Sequence, residues 1–363
     1  MIVAHSRPVD TLVKELEQRY SMSNEGTLKF CLGMEVSRDV DKRTAYLSQK
    51  LYINKMLRRF GLSDPEVRTH ATPAETSKLS KSMCPAEGAP RPTAPGPHGF
   101  TPSRYRELVG SLLYCAICTR PDISFAVGAC ARYVSNPGKA HFKAAQRILR
   151  YLKRTIDFKL PLGGTSPLLF SVNDSDWDGD DVHTDDTFRS TSGILVFFGK
   201  YLVHWSSKLQ RSVARSSVEA EYRALSTSSD TVLWLRNVLE ELGLEQQSPT
   251  LMFTDSRGAK LNTVNQLNQR KLRHVEIAVH AIRERSARRQ IRAVWTPKEE
   301  NPADALTKPL PRPLFEKFRS VLFGLAPLVL PQLGARQDKS KTNTTEDLGM
   351  IDILRKTLLD GDV

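Results

Sequence analysis

The stretch Ser166–Asp181, SPLLFSVNDSDWDGDD, decides the fold, because its first half can enter the acids either as a strand or as a helix. Five aspartates fall within the eight residues Asp174–Asp181, in a 363-residue chain with 53 Lys+Arg against 40 Asp+Glu and a formal net charge of +13. Asp174, Asp176, Asp178 and Gly179 match the D-x-D-x-D-G opening of a calcium loop, with Asp185 at its twelfth position. Such a loop needs an incoming helix. PLLFSV is instead a β-type run bounded by Gly163, Gly164 and Pro167, and Asp181 falls where an apolar residue would anchor the loop to its core. We therefore read the stretch as a strand that ends in acids.

Outward from that strand, STSGILVFFG and YLVHWSSK add two more with tight connections, an antiparallel meander. The long helix SSVEAEYRALSTSSDTVLWLRNVLEELG follows, then the strand TLMFTD, a short helical piece and the helix HVEIAVHAIRERSARR. The strand IRAVWT leads to a helix opening at NPADALTK. Strands first, then alternating helix and strand, describe a mixed α/β sheet in one compact domain over residues 161–320.

Upstream, residues 8–21 have helical spacing, LKFCLGMEVSRD and TAYLSQ alternate as a hairpin, and KLYINKMLRRFGL is a helix stopped by glycine. Residues 64–103 are a linker by their Pro, Gly, Ala and Ser content, and residues 104–160 hold three helices. The third carries Lys139, Lys143, Arg147, Arg150, Lys153 and Arg154 among apolar residues. That face either tracks a phosphate backbone or is simply solvated. In the tail, residues 321–363, RQDKSKTNTTEDLG reads as disordered and MIDILRKTLL as a terminal helix.

With 40% hydrophobic and 26% charged residues the chain has the means to build a core. A sequence pI near 9.6 suits a polyanionic partner, because clustered Lys and Arg bind phosphate by releasing its counterions. The five cysteines are odd in number and scattered, and no export signal precedes them, which argues for a reducing compartment. The lone pair Cys115 and Cys118 lies in an apolar helical run and reads as core rather than as half a zinc site. VLFGLAPLVL is short and broken by Gly and Pro, so no membrane span is expected. A soluble intracellular protein is expected, with nucleus and cytoplasm both open.

Three further acids stand at element boundaries: Glu221 in a helix's second turn, Asp255 at the end of TLMFTD, and Asp304 in the last helix's first turn. Each has a structural alternative. Ser216 and Glu219 have capping-box spacing, which leaves Glu221 without that duty. Asp255 could be a helix N-cap, and Asp304, after Asn301 and Pro302, could serve the helix dipole. Together with Asp174 they could instead hold two divalent ions about 3.5–4 Å apart, the arrangement that cuts phosphodiesters.

RSTSGILVFFGKYLVHWSSKLQRSVARSSVEAEYRAL, preceded by DSDWDGD and followed by FTDSRGAK, RHVEIAVHAIRER and NPADALTKPLPRPLFEKF, resembles the ribonuclease H domain of Ty1/copia-type retrotransposon Pol polyproteins. LVGSLLYCAICTRPDISFAVGACARYVSNPGKAHFKAAQRILRYLK resembles the same polyprotein's connection, and LKFCLGMEVSRD with LSQKLYINKMLRRFGL resembles the end of its reverse transcriptase, residues 1–63. The resemblance implies an α/β fold: a ribonuclease H-like mixed five-stranded sheet with flanking helices, preceded by a partial reverse-transcriptase thumb and a helical connection. It places the metal-binding, catalytic acids on Asp174, Glu221, Asp255 and Asp304. Two Mg2+ ions are implied, with Mn2+ able to substitute, and the expected reaction is endonucleolytic hydrolysis of the RNA strand of an RNA–DNA hybrid, leaving a 3′-hydroxyl. Arg189, Ser190, Lys208 and Arg215 are candidates for the hybrid's backbone, and the 2′-hydroxyl would mark the RNA strand.

MIVAHS resembles the segment just after the polymerase's paired catalytic aspartates, so no polymerase site and no DNA synthesis are expected, and the missing upstream reverse-transcriptase portion is a candidate partner. Many cellular ribonucleases H carry a histidine before the last acid. WTPKEENPAD has none, which either slows product release or leaves that role to another group. His274 and His280 are expected to be structural or phosphate-contacting. The competing expectation is an inactive transposon remnant that only binds nucleic acid.

Overall fold

The computed structural model describes residues 9–22, 26–90, 92, 99–164, 166–177, 188–264, 276–331 and 343–360. Asp178, Asp180, Asp181, Asp185 and His274 lie outside them.

After helix α1 (Val9–Arg19), strands β1 (Phe30–Cys31), β2 (Met34–Asp39) and β3 (Thr44–Ser48) form an antiparallel sheet. Its fourth member is β4 (Leu160–Gly163), which pairs Ala45 with Leu162 across more than a hundred residues of chain. Helix α2 (Lys50–Arg59) buries Ile53, Met56 and Leu57, spaced three and four apart on one face. It stops at Gly61, whose φ of +71° a side chain would resist.

Helix α3 (Pro102–Cys118) starts at Thr101, whose Oγ1 accepts a hydrogen bond from the Arg104 N–H at 3.1 Å. With α4 (Ser124–Ala131) and α5 (Lys139–Arg154) it surrounds a core of Leu108, Leu112, Val127, Phe142, Ile148 and Leu149. Cys115 and Cys130 are buried there, with burial pushing both thiols up to about 12. The basic residues of α5 are partly committed: Arg147 pairs with Glu75 at 3.0 Å, and the Lys153 ammonium donates to the Asp64 carbonyl.

The second sheet has the order β7-β6-β5-β8-β9. Strands β5 (Leu169–Asp176), β6 (Thr191–Phe198) and β7 (Tyr201–Leu209) run antiparallel, and β8 (Thr250–Thr254) and β9 (Ile291–Trp295) continue parallel to β5. This is the mixed five-stranded sheet of the ribonuclease H-like fold. Alternation along β6 supplies both faces: Leu195 and Phe197 enter one core, Ile194 and Val196 the other. The second of these cores is closed by α6 (Ser217–Glu241), through Tyr222, Leu225 and Val232, and by α8 (Glu276–Ala287), through Val279 and Ile282; α7 (Arg257–Val264) lies beside them.

The helix expected to open at Asn301 is a five-residue 3₁₀ turn, Pro302–Leu306. Pro309 and Pro311 break the run, and α9 (Arg312–Leu322) begins only after them. Helix α9 puts Phe315 and Phe318 into the helical core and Val321 and Leu322 into the sheet's, so one helix joins the two. The terminal helix α10 (Thr345–Asp360) starts inside RQDKSKTNTTEDLG, earlier than its apolar pattern suggests, and buries Ile351 and Leu354 against the sheet. No helix among the described residues is long and apolar enough to cross a membrane.

Candidate metal centre

Asp174 sits near the end of the central strand β5, 2% exposed, with β6 on one side and β8 on the other. The segment entering it is a strand, which removes the helix a calcium loop would need. Asp176 faces Lys78 at 3.5 Å instead of joining Asp174.

Glu221 reaches the strand from α6. Ser216 accepts from the Glu219 N–H at 3.2 Å and Glu219 accepts from the Arg215 N–H at 2.9 Å, so Glu219 holds the helix start as its spacing suggested. Glu221, one turn into the helix, accepts from the Ser175 N–H at 3.0 Å through Oε1. Its Oε2 is buried with no hydrogen-bond partner. A buried acceptor left unpaired costs about 1–3 kcal/mol, so the site holds a ligand position already aimed and unsatisfied.

Asp255 follows β8, half-buried. It is not the cap of α7: Ser256 takes that role by accepting from the Ala259 N–H at 3.1 Å. Carboxylate oxygens of Asp174, Glu221 and Asp255 lie within 4.8 Å of one another, the spacing a single divalent ion needs.

Asp304 arrives on the Pro302–Leu306 turn, clamped to the sheet from several directions. The Asn301 amide donates to the Asn173 carbonyl at 3.0 Å, its oxygen accepts from the Ala303 N–H at 3.1 Å, and Ser207 Oγ donates to the Leu306 carbonyl at 2.6 Å. The close approach depends on Gly193, the register partner of Asp174 on β6, where a Cβ would lie 2.8 Å from the Ala303 carbonyl oxygen. Asp304 lies outside the group of three that a single ion could hold, although its carboxyl meets that of Asp174. Lys308 joins them, with Nζ 2.7 Å from Asp304 Oδ1 and 3.9 Å from Asp174 Oδ2, and Thr307 donates its hydroxyl proton to Asp174. Sequence reasoning singled out neither Thr307, Lys308 nor Gly193. Lys308 did leave a signal, a cation four residues after an acid.

The electrostatics are those of a site short of positive charge. Burial, with Asp174 and Asp255 beside it, pushes the Glu221 carboxyl well above its ordinary range. Burial and Asp174 lift Asp255 to about 6 and Asp304 to about 8. Burial alone would lower the Lys308 ammonium, but the carboxylates of Asp174 and Asp304 outweigh it and raise it. Buried, mutually repelling oxygen donors with one orphaned acceptor fit hard divalent cations.

Of the candidate backbone contacts, Lys208 and Arg215 are exposed and Arg189 half-buried. Ser190 is 0% exposed; its carbonyl accepts from the Gln210 N–H at 2.7 Å, and its Oγ is buried without a hydrogen-bond partner. His280 is exposed on α8.

No family model matches the chain. The Pol polyprotein of transposon TNT 1-94 from Nicotiana tabacum is 37% identical over 303 residues, 83% of this chain and 22% of its own length. The putative transposon Ty5-1 protein of Saccharomyces cerevisiae is 32% identical over 237 residues, 64% of this chain and 70% of its own. This chain spans about a fifth of the length of the Pol polyproteins it matches. Among solved structures, an N-terminal RNase H domain from Mycobacterium tuberculosis aligns over 43% of this chain and 98% of its own at 15% identity, with a TM-score of 0.29. The fold is identified by its strand order, β7-β6-β5-β8-β9, with β6 antiparallel and β8 parallel to β5.

Proposed function

The chain belongs to the Ty1/copia-type retrotransposon Pol polyproteins, and from that premise we propose that its five-stranded sheet carries a nuclease that hydrolyses the RNA strand of RNA–DNA hybrids. Asp174, Glu221 and Asp255 would hold one cation, and Asp304 with Asp174 would help to hold a second. Two magnesium ions, or manganese in their place, would supply an activated water and a stabilised leaving oxygen. The chain's own part is to fix the oxygens before anything binds. The Ser175 N–H orients Glu221, Thr307 orients Asp174, and the Asn301 clamp holds the Asp304 turn against β5. Lys308 holds part of the negative charge until cations and substrate enter.

In this reading residues 1–63 are the end of a reverse transcriptase, 64–103 a linker, 104–160 the connection, 161–320 the nuclease and 321–363 its tail. DNA synthesis is not assigned. Among the described residues, Asp174, Glu221 and Asp255 form the only group of three or more metal-capable side chains within reach of one ion. The upstream reverse-transcriptase portion of the polyprotein is the proposed protein partner.

The orphaned Glu221 Oε2 beside two further carboxylates carries the proposal. A labelled RNA–DNA hybrid with magnesium tests it. Asp174→Asn is expected to reduce cleavage by about a hundred- to a thousand-fold, as loss of a principal electrostatic group does, while hybrid binding persists. Cleavage that survives the substitution removes this mechanism. A wild-type chain that binds the hybrid and never cuts it establishes the binding-only alternative instead.

A further inference from the structure

Between the helical region and the second sheet lie two cavities, each of about 290 Å³, that share four lining residues, Phe125, Ala129, Arg132 and Thr191. They form a groove along α4. One end opens at Lys208 on β7, and the other reaches Lys78, Lys143 and Arg147 under α5 and the 73–83 segment. It passes beside the metal centre, since Asp176 and Thr307 line the cavity that reaches α5 and Thr307 donates to Asp174.

The groove's chemistry is divided. Its walls are apolar along one side, with Leu79, Phe125, Ala126, Ala129 and Tyr133. Its rim is cationic: Lys78, Arg132, Lys143, Arg147 and Lys208 against Glu75 and Asp176. Arg147 is committed to Glu75, Lys78 lies against Asp176, and Arg132 donates to Thr191 Oγ1 at 2.8 Å. Lys143 and Lys208 are exposed, and neither has an ion-pair partner among the described residues. Apolar walls suit the faces of bases and sugars, and two uncommitted ammonium groups at opposite ends suit phosphates. A cavity of this size is at or below the small end of ligand pockets, with room for a nucleotide and none for a duplex.

We propose that this groove is a track for a single nucleic-acid strand, which it holds where that strand leaves the hybrid beside the carboxylates. The inference rests on the nuclease reading, and it adds a site formed jointly by the helical region and the sheet. It also gives the basic face of α5 a divided role. Arg147 and Lys153 hold the 64–75 segment in place, and Lys143 is left to meet the ligand.

Binding is measured in the Asp174→Asn protein, so that no substrate is consumed, with two labelled RNA–DNA hybrids, one blunt and one carrying a single-stranded extension. The unaltered groove should bind the extended hybrid about ten-fold more tightly, the worth of roughly one stacked and neutralised nucleotide. Ala129→Trp, at a position that lines both cavities, obstructs the groove where they meet and should bring the ratio of the two affinities close to one. Should that variant not fold, Lys143→Ala and Lys208→Ala, both at exposed positions, decide the matter. Each should reduce the slope of log affinity against log salt by about one for the extended hybrid. No preference for the extended hybrid, a preference that Ala129→Trp leaves intact, or a salt slope untouched by both lysine variants overturns the proposal. Failure of the nuclease reading looks different: the protein with Asp174 intact leaves the blunt hybrid uncut, whatever the groove binds.

Discussion

Lys308 shows, residue by residue, how the acid cluster survives before any divalent ion arrives. Its ammonium, 2.7 Å from Asp304 and 3.9 Å from Asp174, is a single positive charge set against four carboxyls. The remainder of the imbalance appears as proton affinity, with Asp255 lifted to about 6 and Asp304 to about 8. These pKa values lie above those of the unfolded chain, roughly 4. Between about pH 4 and 8 the folded cluster therefore holds protons that the unfolded chain releases, and its contribution to stability falls as pH rises through that window. A bound cation reverses the cost, because it binds the ionised oxygens. Magnesium should accordingly raise the unfolding temperature more at about pH 8 than at about pH 5, by at least about 3 °C, or ~1 kcal/mol. Thermal unfolding with and without the ion measures this, and equal increments at the two pH values would contradict the assignment of these acids to a cation site.

Among the elements, the Pro302–Leu306 turn depends most on one position elsewhere. A Cβ on residue 193 would sit 2.8 Å from the Ala303 carbonyl oxygen and 2.7 Å from Thr307 Cγ2, so the turn can lie against β6 only if that strand carries glycine there. Gly193→Ala should cost about 1–3 kcal/mol through overpacking. It should also cut cleavage more than stability, since the displaced turn carries Asp304 and Thr307. Denaturant midpoint and cleavage rate together test this: a variant with full activity and an unchanged midpoint would show that the contact is not limiting. The strands and helices are legible in the sequence because their signals are local. LLFSV alternates or runs apolar, and Ser216 with Glu219 announces a helix start. The three-acid cluster is legible for the same reason, each acid standing at an element end that can be named from its neighbours. The turn reads as a helix in sequence, although Pro309 and Pro311 are in view, because Asn301 and Pro302 open 3₁₀ and α-helical turns alike. Strand β4 escapes a sequence reading because its partner β3 lies more than a hundred residues away and LPLG alone carries no strand signal.

For the whole molecule, the terminal helix is the contact least visible in the sequence, since every bond that docks it joins distant segments. Asn343 mimics a strand neighbour: its oxygen accepts from the Trp295 N–H and its amide donates to the Trp295 carbonyl, each at 2.9 Å. Behind it Asp347, 2% exposed at its side chain, accepts from Lys260 Nζ at 2.6 Å, from the Thr344 N–H at 2.7 Å and from Arg292. Burial alone would raise the Asp347 carboxyl, but Lys260, Thr344 and Arg292 outweigh it and hold it below the usual range. A buried pair of this kind gains little over an apolar pair, yet losing one member strands the other charge in the interior. Asp347→Ala should therefore lower unfolding stability by about 3–5 kcal/mol, while Lys260→Met combined with Asp347→Leu should recover most of that loss. Because Lys260 lies on α7, which starts just after Asp255, the single variant should also weaken magnesium binding, and the double variant should restore it. Chemical denaturation and metal titration of the wild-type, single and double variants measure both effects. A double variant as unstable as the single one would mean that the helix is held by its apolar face, Ile351 and Leu354, and that the ion pair contributes no coupling between the C-terminal helix and the metal centre.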